Sequence, residues 1–401
     1  MLHDTGTVIV GGGQAGLSLA YHLTRMGQPH IVLERGRAGE RWHSERWDSV
    51  RLLTPNWLNR LDGGPRHRAA DGFLGRDAFV RYLRTYARRL HVREHVSVLA
   101  VERSERNDRF HVATDAGVWR ARNVVVATGD AAEPRVPEFA VPAVLRPLHS
   151  SAYRNPEQLP PGGALVVGAG PSGQQIAAEL RRAGREVVVA VGRHGRAVRN
   201  YRGRDLWWWL DELGDLERTI DDCPDPAAAR RTPNLALSGM NGGEQLDLDV
   251  LQRLGVTVTG RLERIDGSRA HFGDPSNDVA AAERRLARLL KRIDARTGEP
   301  AEHTPPVRVA EPPRRIDLEA RGISTVVWAT GYRRSYPWLH VPALGADGEL
   351  VHRNGITQVP GLAVLGLKFQ RRRASHFIGR VGADAAFLAN WITARGLRAV
   401  A

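Results

Sequence analysis

Residues 7–34, TVIVGGGQAGLSLAYHLTRMGQPHIVLE, decide the fold. Four residues of an apolar strand lead into a turn of the form GxGxxG, a stretch with helical periodicity follows, and a second apolar run ends at Glu34. This order predicts a strand, a helix and a parallel strand, with the free amides of the helix N-terminus facing a dinucleotide pyrophosphate. The same order recurs at 164–191, ALVVGAGPSGQQIAAELRRAGREVVVAV. The sequence therefore predicts two dinucleotide-binding units.

Both predicted units close on an apolar strand that ends in Ala-Thr-Gly, at 123–129 (NVVVATG) and at 324–332 (STVVWATGY). From the glycine turn to this tripeptide the chain takes 116 residues in the first unit, from 11 to 127, and 161 residues in the second, from 168 to 329. The surplus in the second unit predicts an insertion.

The residue that follows the second strand predicts which nucleotide each unit binds, because a carboxylate there accepts hydrogen bonds from ribose hydroxyls and repels a 2′-phosphate. Glu34 has this position in the first unit, which fits the unphosphorylated ribose of FAD or NAD. In the second unit Val191-Gly-Arg193-His194 offers no acid but a guanidinium suited to phosphate, which favours NADPH. A plain surface position in an arginine-rich chain is the alternative for Arg193.

We predict an α/β fold of two Rossmann-like dinucleotide-binding domains, with the NADP domain inserted in the FAD domain. The FAD-binding domain is expected at 1–155 and 322–401, and the NADP-binding domain at 156–321 with its insertion at about 201–245. Tryptophans 207–209 of the insertion either cover the substrate or fill a core between the units, since aromatic residues serve both uses.

Two arginine-rich stretches are expected to face solvent. Leu286, Leu289, Leu290 and Ile293 recur at helical spacing opposite a row of arginines, which predicts a solvated amphipathic helix. The arginine run at 371–373 is expected in a solvated loop, with contact to an anionic substrate as the alternative.

Composition excludes several classes of protein. The chain has 401 residues, 42% of them hydrophobic, and no apolar run long enough to span a membrane, so a cytoplasmic protein without membrane contact is expected. The net charge of +14 comes from arginine in 56 of 58 basic residues and accompanies no nucleic-acid-binding motif, so no nucleic-acid partner is expected. The only cysteine, Cys223, excludes an internal disulfide or redox pair. The HVREH pattern at 91–95 lies at a helix-to-strand junction, so no metal is expected.

Further motifs carry a resemblance to a known family. They are Gly39-Glu-Arg41-Trp42, the segment 149–153 (HSSAY), and Ala329-Thr-Gly-Tyr332 with Pro337 five residues after the tyrosine. With the two glycine turns, they make nearly the whole chain resemble the class B flavin-dependent monooxygenases, which include the flavin-containing monooxygenases. The chain is also similar to actinobacterial flavoproteins labelled as cation or potassium transport proteins, through 46–63 and 367–385.

The segment 149–153 resembles the second half of the family fingerprint FxGxxxHxxx(W/Y/F). Ala143 and Leu145 replace the phenylalanine and glycine of its first half, and Tyr153 stands where the Baeyer-Villiger enzymes have tryptophan. The resemblance therefore implies N-, S- or aromatic oxygenation ahead of Baeyer-Villiger oxidation.

The resemblance implies FAD and NADPH as cofactors, and O2 and a small organic molecule as substrates. NADPH would reduce the flavin, oxygen would form a C4a-(hydro)peroxyflavin, and retained NADP would shield that adduct. It implies Asn56 as the adduct-stabilising residue, with an ordinary turn asparagine as the alternative. The predicted cofactor-binding residues are Gly11, Gly13, Gln14, Ala15, Gly16, Glu34, Arg35, Arg41, Trp42, Val101, Ala127, Thr128, Gly129, Gly168, Gly170, Pro171, Ser172, Gly173, Gln174, Arg193, His194, Ala329, Thr330, Gly331, Tyr332, Gln370 and Ile378.

Two other functions stay open at this stage. An NADPH oxidase or quinone-type reductase needs the same two nucleotide sites, and a non-catalytic flavoprotein that senses nucleotides would also have them. A disulfide reductase of the usual kind requires a cysteine pair that this chain lacks. Substrate identity, the pathway and the oligomeric state, a homodimer among the options, do not follow from the residues.

Overall fold

The computed structural model describes residues 1–104, 108–138, 141–309 and 311–398. The strands are β1 (Leu2–Val10), β2 (His30–Glu34), β3 (Val92–Glu94), β4 (Val98–Ser104), β5 (Arg109–Thr114), β6 (Gly117–Val126), β7 (Glu133–Pro134), β8 (Arg146–His149), β9 (Gly163–Val167), β10 (Val187–Ala190), β11 (Asn200–Tyr201), β12 (Arg204–Asp205), β13 (Thr257–Thr259), β14 (Leu262–Asp266), β15 (Arg269–Phe272), β16 (Arg315–Asp317), β17 (Ile323–Trp328), β18 (Tyr332–Arg333), β19 (His352–Arg353), β20 (Ile356–Thr357) and β21 (Leu362–Val364). The α-helices are α1 (Gln14–Arg25), α2 (Glu40–Ser44), α3 (Arg76–Ala87), α4 (Pro171–Arg182), α5 (Leu206–Glu212), α6 (Pro226–Arg231), α7 (Leu248–Arg253), α8 (Ser276–Thr297) and α9 (Val381–Arg398).

The first sheet takes its strands from both ends of the chain. Its order is β19-β20-β21-β6-β1-β2-β3, with β5 paired to β6 and β4 paired to β5. The strands from β21 to β3 in this order run parallel, and β4, β5 and β6 form an antiparallel extension. Helices α1, α3 and α9 contribute to the apolar core that covers the sheet.

The second sheet has five parallel strands in the order β13-β10-β9-β17-β8. The central strand β9 is buried along its whole length, as is typical of a parallel sheet covered on both faces. The two sheets confirm the predicted α/β class of parallel-sheet units. The predicted domain limits differ from the pairing, because β8 and β17, which were assigned to the FAD segments, both belong to the second sheet.

The third glycine of each glycine turn lies against the carbonyl of the first. A Cβ atom on Gly16 would stand 2.0 Å from the oxygen of Gly11, and a Cβ atom on Gly173 would stand 1.8 Å from the oxygen of Gly168. Even an alanine methyl cannot fit at these distances. The two predicted units therefore share one packing constraint. It places the start of α1 against the end of β1, and the start of α4 against the end of β9.

A partly buried carboxyl group joins the two parts of the chain. Glu179 on α4 accepts hydrogen bonds from the Ser49 hydroxyl at 2.5 Å and from the Tyr153 hydroxyl at 2.8 Å. Tyr153 is fully buried, beside Trp47 and Val50, in the core that covers the second sheet. Burial raises the pKa of Glu179 above its ordinary value, and the two hydrogen bonds oppose that rise.

The tryptophans of the insertion pack in a core, and Trp207 also lines a cavity. Trp207 and Trp209 are buried in one core with Leu286 and Leu290 of α8. The indole Nε1 of Trp207 donates to the carbonyl of Leu53, and its ring also faces the large cavity described below. The insertion is thus both a core element and part of a wall.

Neither a membrane-spanning helix nor a cluster of metal-ligating side chains is found among the described residues. None of the helices in the described ranges is long and apolar enough to cross a membrane. Nor do His, Cys, Asp and Glu come together there in a group of three or more that could hold a metal ion.

We expect Gly16→Ala to displace the start of α1, because the new methyl group would overlap the Gly11 carbonyl. Overpacking of this kind costs about 1–3 kcal/mol of folding free energy. Urea unfolding of the apoprotein measures the change. Gly13→Ala is the matched control, because a Cβ atom there meets nothing within 4 Å; equal unfolding free energies for the two variants would contradict the packing constraint.

We expect the Glu179 carboxyl to make stability depend on pH. Its folded-state pKa is raised, so the folded chain binds more protons than the unfolded chain, and stability falls as pH rises through that pKa. The unfolding free energy of Glu179→Gln should therefore rise relative to wild type with pH, by about 1.4 kcal/mol for each unit of pKa shift. Glu186→Gln, at an exposed carboxylate paired with Arg321, should follow wild type. A constant difference between Glu179→Gln and wild type across pH refutes this expectation.

Candidate active site

A cavity of about 1640 Å³ lies between the first sheet, the insertion and α8. Its walls include the first glycine turn, residues 52–54, residues 127–133, residues 368–369 and residues 376–378. Pockets for single small ligands measure roughly 300–1,000 Å³. The cavity therefore has room for a dinucleotide and for a second molecule beside it.

One end of the cavity fits the adenosine and pyrophosphate of FAD. Helix α1 begins at the cavity wall with no side-chain cap, so its first amides can bind an anion. The side chain of Glu34 is held in place by the amide of Gly12, which donates at 2.6 Å, and by the amide of Gly36, at 3.0 Å. Its carboxylate reaches the cavity where a ribose would lie.

The Gly39-Glu-Arg-Trp42 motif forms the wall next to this end. In the described residues, Nη1 of Arg41 is buried and has no hydrogen-bond partner, although the guanidinium lines the cavity. A buried donor of this kind requires an acceptor, and a phosphate of FAD would supply one. The Arg46 guanidinium lies 5.4 Å from the ring centre of Trp42 and donates to the hydroxyl of Tyr332 at 3.2 Å.

Many of the predicted FAD-binding residues meet at this cavity. The lining includes Gly11, Gly13, Gln14, Ala15, Glu34, Arg35, Arg41, Trp42, Ala127, Thr128, Gly129 and Ile378. Gly16 lies behind the turn and acts through packing. His95 and the segment 96–98 also line the cavity near Glu34, and no motif in the sequence indicated them.

The second glycine turn lies outside the cavity lining. Helix α4 begins at Pro171 without a side-chain cap, and a Cβ atom on Gly170 would meet nothing within 4 Å, so a phosphate can approach this turn. Gln174 is buried and donates to the carbonyl of Ala169, which stabilises the turn. The positions of the turn residues Gly168, Gly170, Pro171, Ser172 and Gly173 fit a dinucleotide.

After β10, the side chain of Arg193 is exposed and that of His194 is buried. Arg193 is exposed and donates to the carbonyl of Arg231 at 2.8 Å, so its guanidinium remains accessible to a 2′-phosphate. His194 is buried, and its Nδ1 donates to the carbonyl of Gly192. Burial lowers the pKa of His194, so the ring is neutral at pH 7.

The Ala-Thr-Gly-Tyr sequence after β17 connects the second sheet to the cavity. The Nε2 of His149 donates to the carbonyl of Gly331 at 3.0 Å, and the Thr330 hydroxyl donates to the carbonyl of Arg135. Ala329 packs in the core of the second sheet. Tyr332 contacts the cavity wall through Arg46. None of the four residues 329–332 lines the cavity itself.

The predicted role of Asn56 does not fit its surroundings. Its side chain is buried, its Nδ2 donates to the carbonyl of Ala69 at 2.8 Å, and its Oδ1 accepts from the amide of Leu74 at 3.0 Å. Asn56 is absent from the cavity lining, whereas Leu53 and Thr54 belong to it. Asn56 therefore joins two loop segments. This placement agrees with the alternative reading, in which Asn56 is an ordinary turn asparagine.

Gln370 and Val101 also lie away from the cavity. The Gln370 side chain is fully buried, donates to the carbonyl of Val364 and accepts from the amide of Leu367. Val101 is fully buried in β4, and its amide donates to the carbonyl of Trp338. Both residues stabilise the fold. Of Gln370 and Ile378, which were both predicted to line the flavin, Ile378 reaches the cavity and Gln370 does not.

Both arginine-rich stretches, which were predicted to face solvent, also reach the cavity, and Arg288 and Arg292 of α8 remain exposed as predicted. The two stretches contribute Arg285, Arg288 and Arg292 of α8, and Arg373 of the 371–373 run. Arg372 is buried and bound to Asp384 and to the carbonyl of Arg380. The polar face of an amphipathic helix has the same sequence pattern whether it meets bulk water or a cavity, so the sequence contained no signal for this placement.

His376 is a further cavity residue that the sequence did not indicate. Its Nδ1 is buried and has no hydrogen-bond partner in the described part of the chain. Burial lowers the pKa of His376 to about 4, and the nearby Lys368 and Arg373 act in the same direction, against Asp130. The imidazole is therefore neutral at pH 7 and offers one free nitrogen.

Comparison with known proteins gives the following similarities. The sequence model of the pyridine nucleotide-disulphide oxidoreductase family matches residues 8–207. An uncharacterized CzcO-like oxidoreductase of Geobacillus kaustophilus is 31% identical over 395 residues, which cover 97% of this chain and 99% of that protein. Indole-3-pyruvate monooxygenase YUCCA1 of Oryza sativa is 27% identical over 373 residues, 88% of this chain and 82% of that protein.

Solved structures share the fold over nearly the full length. A flavin-containing monooxygenase from Stenotrophomonas maltophilia superposes with a TM-score of 0.69 at 20% identity, covering 98% of this chain and 99% of that one. A bacillithiol disulfide reductase from Staphylococcus aureus superposes with a TM-score of 0.61 at 15% identity, covering 98% and 99%.

We expect Asn56→Ala to lower stability and to leave flavin chemistry unchanged. The substitution removes two hydrogen bonds and leaves the Leu74 amide and the Ala69 carbonyl unpaired, which costs about 1–3 kcal/mol for each buried group. Thermal unfolding measures the loss, and anaerobic flavin reduction by NADPH should keep its wild-type rate. Wild-type stability combined with a larger share of hydrogen peroxide would restore the role first predicted for Asn56.

Proposed function

The chain belongs to the class B flavin-dependent monooxygenases, with CzcO-like oxidoreductases among its full-length relatives, and from this membership we propose that it uses NADPH and O2 to oxygenate a small organic substrate at nitrogen, sulfur or an aromatic ring. The predicted resemblance, the oxidoreductase class and the FAD and NADPH cofactors are thereby confirmed. The CzcO-like name of the relatives accounts for the cation-transport label.

The observation that carries the proposal is the continuity of the cavity. It runs from the predicted FAD site to a wall of apolar and basic side chains that the dinucleotide does not need. An electron-transfer protein requires only an exposed flavin edge, whereas an oxygenase must hold a second molecule beside the flavin and exclude water. The wall formed by Trp207 and Phe377, whose rings meet edge to face at 5.1 Å, is suited to that task.

The overall reaction balances in electrons and atoms. NADPH and the organic substrate each supply two electrons, and O2 accepts all four; one oxygen atom enters the substrate and the other leaves as water with two protons. FAD, when bound, supplies the redox chemistry by accepting a hydride and passing electrons to oxygen.

The residues of the chain supply binding, orientation and water exclusion. We assign the FAD phosphates to the first glycine turn and Arg41, and the FAD ribose to Glu34. NADPH is assigned to the turn at 168–173, with Arg193 at its 2′-phosphate, in the domain of the second sheet, which extends beyond the predicted limits to include β8 and β17. The free Nδ1 of His376 can hold a hydrogen bond at the reacting end of the cavity.

A second candidate is the oxygenation of a 2-oxo acid. Relatives such as YUCCA1 are named indole-3-pyruvate monooxygenases, and YUCCA1 aligns with 88% of this chain. This similarity favours a carbonyl substrate, whereas the Tyr153 motif disfavours one. The motif covers five residues and the alignment covers most of the chain.

We expect a true substrate to accelerate NADPH oxidation and to lower the fraction of oxygen recovered as hydrogen peroxide. Mixing NADPH-reduced enzyme with oxygen in a stopped-flow spectrometer should show an absorbance distinct from reduced and oxidised flavin, which decays faster when substrate is present. Quantitative peroxide formation with amines, sulfides, phenols and 2-oxo acids alike would support the oxidase alternative. Failure of NADPH to reduce the flavin would support the sensing alternative.

A further inference from the structure

One wall of the cavity is strongly basic. Three arginines of α8, at positions 285, 288 and 292, project from one side of the helix because they are three and four residues apart. Arg218 and Arg373 line the same cavity from two loops. We call these five arginines the basic wall.

The basic wall contains more positive charge than its own acids neutralise. Asp215, which is 4% exposed, binds two of the guanidiniums: it accepts from Arg292 at 2.6 and 2.9 Å and from Arg373 at 3.0 Å. Burial lowers the pKa of Arg373, and the charges of Arg292 and Arg218 lower it further, so these cations repel one another.

The remaining arginines of the basic wall form no close ion pair with a carboxylate in the described ranges, although Asp222 interacts with Arg218 and Asp278 with Arg285 at longer range. Arg288 makes neither a hydrogen bond nor an ion pair with any residue in the described ranges. Arg218 donates to the backbone carbonyl of Asp222, and Arg285 to that of His194. Asp225 and several other acids line the cavity elsewhere, but around the basic wall positive charge is in excess, and such an excess attracts and concentrates anionic ligands.

Apolar side chains border the basic wall inside the cavity. Leu286 and Leu289 lie between the arginines along α8, and Trp207 and Phe377 face the cavity close to them. A ligand that satisfies both surfaces has an anionic group and an apolar body.

We propose that the molecule oxygenated in this cavity is an organic carboxylate with an apolar or aromatic body, whose carboxylate is bound by Arg288 and Arg373. Asp215 acts as a positioning residue, because it fixes the guanidiniums of Arg292 and Arg373. The inference rests on the proposed function, since it names the substrate class of the same cavity.

The first experiment compares two ligands of equal shape on the FAD-loaded enzyme, 3-phenylpropanoate and its neutral amide, 3-phenylpropanamide. Binding is followed through the absorbance change of the bound flavin. We expect the carboxylate to bind about tenfold more tightly than the amide, as for a charge-assisted hydrogen bond at a partly exposed site. Raising the ionic strength from about 0.05 M to about 0.5 M should reduce that preference.

Arg288→Gln should abolish the preference for the carboxylate, and Arg284→Gln should retain it. Arg284 is the matched control, because it is an exposed arginine of α8 that does not line the cavity. Equal affinity of wild-type enzyme for the acid and the amide, or a preference that survives in Arg288→Gln, overturns the inference.

The second experiment distinguishes a substrate carboxylate from the phosphate of NADPH. Anaerobic flavin reduction by NADPH and by NADH is measured as a function of nucleotide concentration, and Arg288→Gln should leave both affinities unchanged. A selective loss of NADPH affinity with unchanged carboxylate binding would assign the basic wall to the 2′-phosphate and overturn the inference.

The two hypotheses fail in different ways. A carboxylate preference with all oxygen recovered as peroxide supports the anion site and contradicts the proposed function. Oxygenation of neutral substrates by an enzyme that shows no carboxylate preference contradicts the anion site and leaves the proposed function in place.

Discussion

The rest of the structure depends on one packing contact, which each nucleotide-binding unit makes between the start of its first helix and the end of the strand before it. This contact leaves no room for a side chain at Gly16 or at Gly173. It fixes the direction of α1 and α4, and so determines where their unpaired amides point. In the first sheet, the same contact aligns the turn with the carboxylate of Glu34 through the Gly12 amide. Backbone packing thus determines the position of the nucleotide end of the cavity, and side chains such as Glu34 line it.

The sequence was sufficient to predict the elements that depend on short-range patterns. The glycine spacing and the apolar strands predicted both units, and most of the residues predicted for the first nucleotide site line one cavity. The surroundings of Asn56 and Val101 were not foreseen, because their hydrogen bonds reach segments distant in sequence, and such contacts leave no periodic pattern. Gln370 binds locally, to Val364 and Leu367, and its burial away from the cavity follows from tertiary packing. The same limit applies to His376, whose burial depends on tertiary packing.

The arginines of α8 illustrate a second limit. Periodicity locates the apolar face of a helix, but it does not say what the polar face meets. Here the buried Leu286 and Leu290 pack on the tryptophans of the insertion, and this packing turns Arg288 and Arg292 towards the cavity. A core contact therefore sets the electrostatic character of the proposed substrate site, and the two uses considered for the tryptophans are linked by that helix.

The first sheet combines strands from both ends of the chain, and this has a consequence for biosynthesis. Strand β6 pairs with β21, yet more than two hundred residues separate them along the chain, and all strands of the second sheet lie in that interval. During translation the second sheet can therefore form while β6 still presents an open edge, and the sheet that carries the FAD site is completed only when β21 and α9 leave the ribosome. The cofactor site is therefore completed only after the whole second sheet has been synthesised, although the glycine turn that begins the site precedes every strand of that sheet.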